Sequence, residues 1–285
     1  MKNSLMKLAG MLAIAGLIAL GCDSVVDQNS PDTSEFQVQS TENYFSVGSF
    51  GLLDSFTQDE LVNNWVADRQ FPSGGVESVS AYDRDDVAAI SVIGEDQSTK
   101  GQFYYFEGIK KVDDFGPTVR VDLYVPAEWA NPATSPANVG FWASDVDPIT
   151  SYPIIVYRNS ETVEAGFYTW TYDWDAGAWV YVLSDVEVNY NGWNTLSIIL
   201  SDTENVAEYF INGTKTGSVY NAGDNIGQVF LNHYNDGARS YDAFWHAGVV
   251  NPITITDCQN GGWEAFGFRN QGQCIRYVNT GQDSR

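Results

Sequence analysis

Leu196-Ser-Ile-Ile-Leu200, followed after a short gap by Ala207-Glu-Tyr-Phe-Ile-Asn-Gly-Thr214, decides the architecture. Both runs are short and rich in β-branched and aromatic residues, and the second closes on Asn212-Gly213. An Asn-Gly pair between strand-like runs supplies the two positive-φ positions of a type I′ turn, so the spacing predicts a hairpin at Ile211–Thr214. Runs of the same kind recur outward from it at Thr118–Val125, Ile154–Tyr157, Phe167–Trp174, Trp179–Val188, Gly227–Tyr234 and Tyr241–Trp245, with Gly, Asn, Asp and Pro clusters between them. Apart from a turn of helix at Gln58–Val66, no helical apolar period persists between Tyr44 and Val250. Many short strands in one such stretch predict an all-β fold, a single antiparallel β-sandwich or jelly roll.

A second hairpin joins Phe167–Trp174 to Trp179–Leu183 through the loop Asp175-Ala-Gly-Ala178. Side chains alternate across a strand, so Tyr168, Trp170, Tyr172 and Trp174 share one face. In the register set by that loop, Trp174 opposes Trp179, Tyr172 opposes Tyr181 and Trp170 opposes Leu183, which makes an aromatic ladder. The opposite face carries Thr169, Thr171, Val180 and Val182. Either face can turn inward. Buried aromatics would be ordinary core, whereas exposed ones would suit stacking on sugar rings.

Outside this region the composition changes. Residues 1–21 carry Lys2 and Lys7, then the apolar run Leu8–Leu20, and read as a secretion signal too short for a comfortable membrane span. Residues 22–43 are polar and read as a flexible tether, 44–250 as the sandwich, and 251–285 as a separate tail. The chain has 37 acidic against 14 basic residues, a formal charge of −23, which disfavours nucleic acid and anionic lipid surfaces as partners. Loss of the leader would remove Lys2 and Lys7 and leave the protein more acidic still. Such a charge suits a halophilic source and equally an ordinary acidic secreted protein.

Three resemblances follow from particular residues. Ala19-Leu-Gly-Cys22 resembles a lipobox, which implies lipidation at Cys22 and a membrane link through that anchor alone; plain secretion is the alternative. The segments Asn191-Gly-Trp-Asn-Thr-Leu, Tyr209-Phe-Ile-Asn-Gly213 and Tyr241-Asp-Ala-Phe-Trp245 resemble concanavalin A-like lectin/glucanase domains of the laminin-G-like type, over roughly 50–250. That resemblance implies the jelly-roll sandwich, in a superfamily mixing sugar binders, glycosidases, lyases and adhesion modules. The tail Cys258-Gln-Asn-Gly-Gly-Trp263 through Asn270-Gln-Gly-Gln-Cys274 is similar to a short C-terminal element of exported bacterial proteins, and in an oxidising compartment a Cys258–Cys274 disulfide is expected to staple it as a hairpin.

Candidate chemistry is sparse. Glucanases of this fold carry paired carboxylates in E-x-D-x-x-E, but no Glu in this chain is followed two places later by Asp. Asp173 and Asp175 are spaced i, i+2 at a hairpin end and read as turn residues; Glu164 and Glu187 remain an unannounced pair if neighbouring strands bring them together. The two histidines, His233 and His246, lack zinc spacing. No cofactor is implied, although oxygen-rich loops at Asp83–Asp86, Asp145–Asp147 and Asn235–Asp236 could supply a structural calcium ion. These readings lead to an exported cell-surface protein that binds a glycan through Tyr168, Trp170, Tyr172, Trp174, Trp179 and Tyr181. A diverged polysaccharide hydrolase or lyase and a plain adhesion domain stand as alternatives.

Overall fold

The computed structural model describes residues 53–280, apart from 54, 146–150, 174–176, 202, 222, 248–254, 256–257, 260–262 and 264–268. The leader, Cys22 and the tether fall outside the described residues. Helix α1 (Gln58–Asn64) opens the described chain where Thr57 accepts a hydrogen bond from the Glu60 amide, an N-cap. Fourteen strands follow: β1 (Val66–Arg69), β2 (Gly75–Ala81), β3 (Arg84–Val92), β4 (Phe106–Val112), β5 (Thr118–Val125), β6 (Val139–Ser144), β7 (Ile154–Ser160), β8 (Val163–Asp173), β9 (Ala178–Leu183), β10 (Gly192–Leu200), β11 (Val206–Ile211), β12 (Thr214–Tyr220), β13 (Gln228–Tyr234) and β14 (Tyr241–His246). Helix α2 (Gln271–Thr280) lies in the tail. Among the described residues no helix is long and apolar enough to cross a membrane.

The strands form two seven-stranded antiparallel sheets, ordered β1-β4-β13-β6-β7-β8-β9 and β12-β11-β10-β5-β14-β3-β2. Their inner faces are lined by alternate residues such as Ile109, Leu231, Phe141 and Tyr157 from the first sheet and Val121, Leu123, Leu196 and Trp245 from the second, all buried in one core. Tyr209 locks the layers together. Its hydroxyl donates to the Trp170 carbonyl (2.7 Å) and accepts from the Ile154 amide (3.2 Å), so a side chain of the second sheet satisfies backbone groups of β7 and β8. The all-β antiparallel sandwich is therefore as the sequence implies.

The Asn-Gly hairpin forms as expected: Ile211 pairs with Thr214, and Asn212 and Gly213 take φ of 51° and 79°. The β8–β9 hairpin forms with a different register. Tyr172 opposes Trp179, Trp170 opposes Tyr181 and Tyr168 opposes Leu183, a shift of two residues from the sequence expectation. Asp173 pairs with Ala178, so the loop is 174–177 and Gly177, at φ 62°, supplies its left-handed position. A shift of two preserves the faces. Thr169 is buried on the inner side, while Tyr168, Trp170 and Tyr181 belong to a separate cluster on the outer side.

The tail also departs from expectation. The Cys258–Cys274 disulfide is present, with Cα atoms 5.6 Å apart, but Cys274 sits on a helix rather than on a hairpin arm. The reason is local: the Asn270 side chain accepts from the Gln273 amide at 2.9 Å, the N-cap geometry that starts a helix.

Candidate functional site

On the outer face of the first sheet, the register lines up residues from seven strands. One row runs Asp68, Gly108, Asn232, Gly140, Val156, Tyr168, Leu183. The adjacent row carries Lys110, Phe230, Trp142 and Ile154, with Trp170 opposite Tyr181 further along. On the other side Phe106 opposes Tyr234, and Arg158 opposes Gly166. The middle row is narrow at its centre, where Gly-Asn-Gly stands between aromatic neighbours. A Cβ on Gly108 would lie 2.5 Å from Asn232 Oδ1, and one on Gly140 would lie 2.7 Å from Trp142 Nε1, so the two glycines let the amide and the indole lean across the row.

Two arginines reach onto this face from different strands. Arg69 ends the edge strand β1 with φ at 53°, a left-handed conformation uncommon for a residue with a Cβ. Its guanidinium lies over the rings of Trp142 (4.6 Å) and Phe106 (4.9 Å), and the neighbouring Asp68 carboxylate holds it through 2.9 Å contacts. Arg158, on β7, lies over the rings of Tyr181 (4.5 Å) and Tyr168 (5.3 Å). No carboxylate pairs with Arg158 among the described residues. Its buried Nε has no hydrogen-bond partner, and neither have Trp142 Nε1 or the two amide atoms of the fully buried Asn232. A buried polar atom without a partner costs about 1–3 kcal/mol, so this face carries unused hydrogen-bonding capacity.

Tyr181 lies under Arg158. Burial pushes its hydroxyl pKa up, while the Arg158 charge, a hydrogen bond from Asn138 and the Arg69 charge pull it back toward the anionic form. The sequence-expected ladder thus divides. Tyr168, Trp170, Tyr172, Trp179 and Tyr181 do share the outer face, and Trp170 and Trp179 lie parallel with centroids 5.8 Å apart. Trp174 lies outside the described residues.

Other candidates are placed elsewhere. His233 is buried on the inner face, accepts at Nε2 from Trp245 Nε1 (2.9 Å) and has its pKa pushed down by burial to about 3. His246, on the outer face of the second sheet, contacts Arg84 at 3.2 Å, and that guanidinium also pairs with Asp122 at 2.6 Å. Glu164 is exposed on β8, whereas Glu187 lies in the β9–β10 connection, so the two do not meet on neighbouring strands. Asp68 and Glu164 are the carboxylates on the outer face of the described first-sheet strands. They lie on strands five places apart in the sheet order.

Among the calcium-loop candidates, Asp85 accepts from Ser80, Asn235 bonds Glu107 and the Ile93 carbonyl, and Asp236 accepts from the Ala238 and Arg239 amides. Asp147 lies outside the described residues, and among those described no group of three His, Cys, Asp or Glu side chains could hold a metal ion.

Sequence reading missed Arg69, Arg158, Asn232 and Trp142. Arg158 left one signal, a charge at the end of the apolar run Ile154-Ile-Val-Tyr157.

No protein-family model and no curated protein matches this chain. Solved structures similar to it include a glycoside hydrolase family 16 endo-glucanase from Bacteroides ovatus (10% identity, 64% of this chain and 93% of that one, TM-score 0.44). Others are an endo-β-1,3-glucanase from Pyrococcus furiosus (9% identity, 65% and 86%, TM-score 0.43) and a β-1,3-1,4-glucanase from a mouse hindgut metagenome (14% identity, 65% and 90%, TM-score 0.39). The expectation of a lectin-like sandwich that binds a glycan is corrected on this finding: the similar structures carry the names of glucanases. The likeness is one of fold, and the chemistry of this chain has to be argued from its own residues.

Proposed function

We propose that this protein is a polysaccharide-cleaving enzyme whose active face is the outer face of the first sheet. The observation that carries the reading is the Arg158 guanidinium lying 4.5 Å over the Tyr181 ring, on a face paved with aromatic rings. Rings alone would serve adhesion. Burial raises the Tyr181 pKa and keeps the hydroxyl protonated; a positioned phenol is a proton donor, and positioned proton transfer contributes typically about 10²–10⁴-fold to a rate. The parallel indoles of Trp170 and Trp179 offer planes on which sugar rings stack beside it.

The leader and the Cys22 lipobox support an exported protein held at the cell envelope by a lipid, where extracellular polysaccharide is within reach of a tethered domain. Labelling with a radioactive fatty acid, lost in Cys22→Ser, tests the anchor.

The activity is tested by incubating the full chain with a panel of neutral and uronate polysaccharides and following chain length by size-exclusion chromatography. Tyr181→Phe keeps the ring and removes the proton; it should slow cleavage at least about 100-fold while the protein still unfolds cooperatively in denaturant. No shortening of any polysaccharide, or full activity in Tyr181→Phe, overturns the reading.

A further inference from the structure

We propose that β9 is a dimerisation edge, through which two copies of this chain pair antiparallel about a two-fold axis and join their first sheets into one. Three of the four sheet edges are protected against such pairing, and this one is not.

An edge strand presents a row of backbone N–H and C=O groups to any other strand, and native proteins blunt it with brevity, charge, bulges or cover. β1 has four residues, two of them the charged Asp68 and Arg69. β2 carries Glu77, and Gln58 of α1 accepts from the Ser78 amide at 3.0 Å, so a helix covers part of that edge. β12 carries Lys215, is bulged against β11, and its Ser218 carbonyl accepts from the Thr171 hydroxyl at 3.2 Å. β9 has none of these devices. Its run Ala178-Trp-Val-Tyr-Val-Leu183 contains no charge, proline or glycine. It closes the strand order of the first sheet, pairs with β8 without a register shift, and has no hydrogen bond on its free edge among the described residues. Trp179 is 44% exposed and Val182 45%.

The second sheet stops short of this edge. Thr171 of β8 reaches β12, the last strand of the second sheet, so β9 overhangs the sandwich and Val182, on the inward side opposite Thr169, meets water instead of core. A partner strand therefore has access along the edge and on both faces. The occupant has to match six uncharged residues on a molecule of net charge −23. A second β9 does so: it is uncharged, of equal length, and built of β-branched and aromatic residues that pair well across strands. Antiparallel pairing about an axis perpendicular to the sheet gives the order β7-β8-β9-β9-β8-β7. Such an axis keeps both outer faces on one side, so the Trp170 and Trp179 planes of the two copies adjoin. Six residues make a contact only about 20 Å long, which places the dimer among weak, transient assemblies. The two net charges oppose it until salt screens them.

Light scattering on the full chain in about 1 M salt, over about 1 to about 500 μM protein, reads the mass in solution, which should rise toward twofold. Val182→Lys puts a charge on the open edge and should leave a monomer. Tyr220→Lys, at an exposed position on the β12 edge, makes the same charge change and should leave the dimer. Either lysine reduces the net negative charge, so a general easing of repulsion would strengthen association in both. Hydrogen exchange on the unaltered chain gives a second reading: amides of residues 178–183 should slow as concentration rises, and those of residues 214–220 should not. If Val182→Lys fails to fold, this measurement decides. A single-chain mass at every concentration, dimerisation of folded Val182→Lys equal to that of the unaltered chain, or exchange in β9 that ignores concentration overturns the proposal.

Discussion

Acidification should unfold this protein partly through one buried imidazole. His233 is fully buried, accepts from Trp245 Nε1 at 2.9 Å, and has its pKa lowered from 6.5 to about 3 by burial. A histidine whose folded pKa lies below its unfolded value contributes no penalty while both states are neutral, above about pH 6.5. As pH falls, the unfolded chain binds the proton first, so stability drops by about 1.4 kcal/mol per unit until the folded pKa is reached. At pH 4.5 the cumulative loss is about 2.7 kcal/mol. Urea melts of wild type and His233→Gln between pH 7 and 4.5 isolate this share, because the carboxylates titrate in both proteins. Glutamine should lower stability at pH 7 and flatten the acid slope. Parallel pH profiles for the two proteins would refute the assignment of a buried neutral imidazole.

Tyr209→Phe strands the Ile154 amide and the Trp170 carbonyl inside the sandwich, and should cost about 2–4 kcal/mol in denaturant melts, since each abandoned group costs about 1–3 kcal/mol; a loss below about 0.5 kcal/mol would contradict the inter-sheet lock. Alkylation without reductant followed by mass spectrometry should leave Cys258 and Cys274 unmodified.

Local chemistry made part of this molecule legible in its sequence. Asn212-Gly213 names its own turn because both residues must take positive φ, and the alternation from Tyr168 to Tyr172 names its shared face because a strand has only two sides. The β8–β9 register was harder to read, since loops 174–177 and 175–178 have equal length and differ only in where Gly177 falls. The helix in the tail was hidden by its cysteines, which drew attention from Asn270 as a cap. The arginine site was not legible at all. Arg69 and Arg158 lie on β1 and β7, four strands apart in the sheet and far apart in sequence, and only the tertiary pairing order puts Arg69 over Trp142 and Arg158 over Tyr181.

Alternation along the first sheet also gives neighbouring residues unrelated jobs. Phe141 fills the core while Trp142 faces out, Tyr157 fills it while Arg158 faces out, and Leu231 fills it while Asn232 faces out. A substitution at the second member of each pair leaves the packing between the layers intact. The scaffold can therefore exchange one set of reacting groups for another, one strand position at a time, without passing through an unfolded ancestor. In the laboratory the outward positions can be randomised as a library while the inward ones are kept fixed.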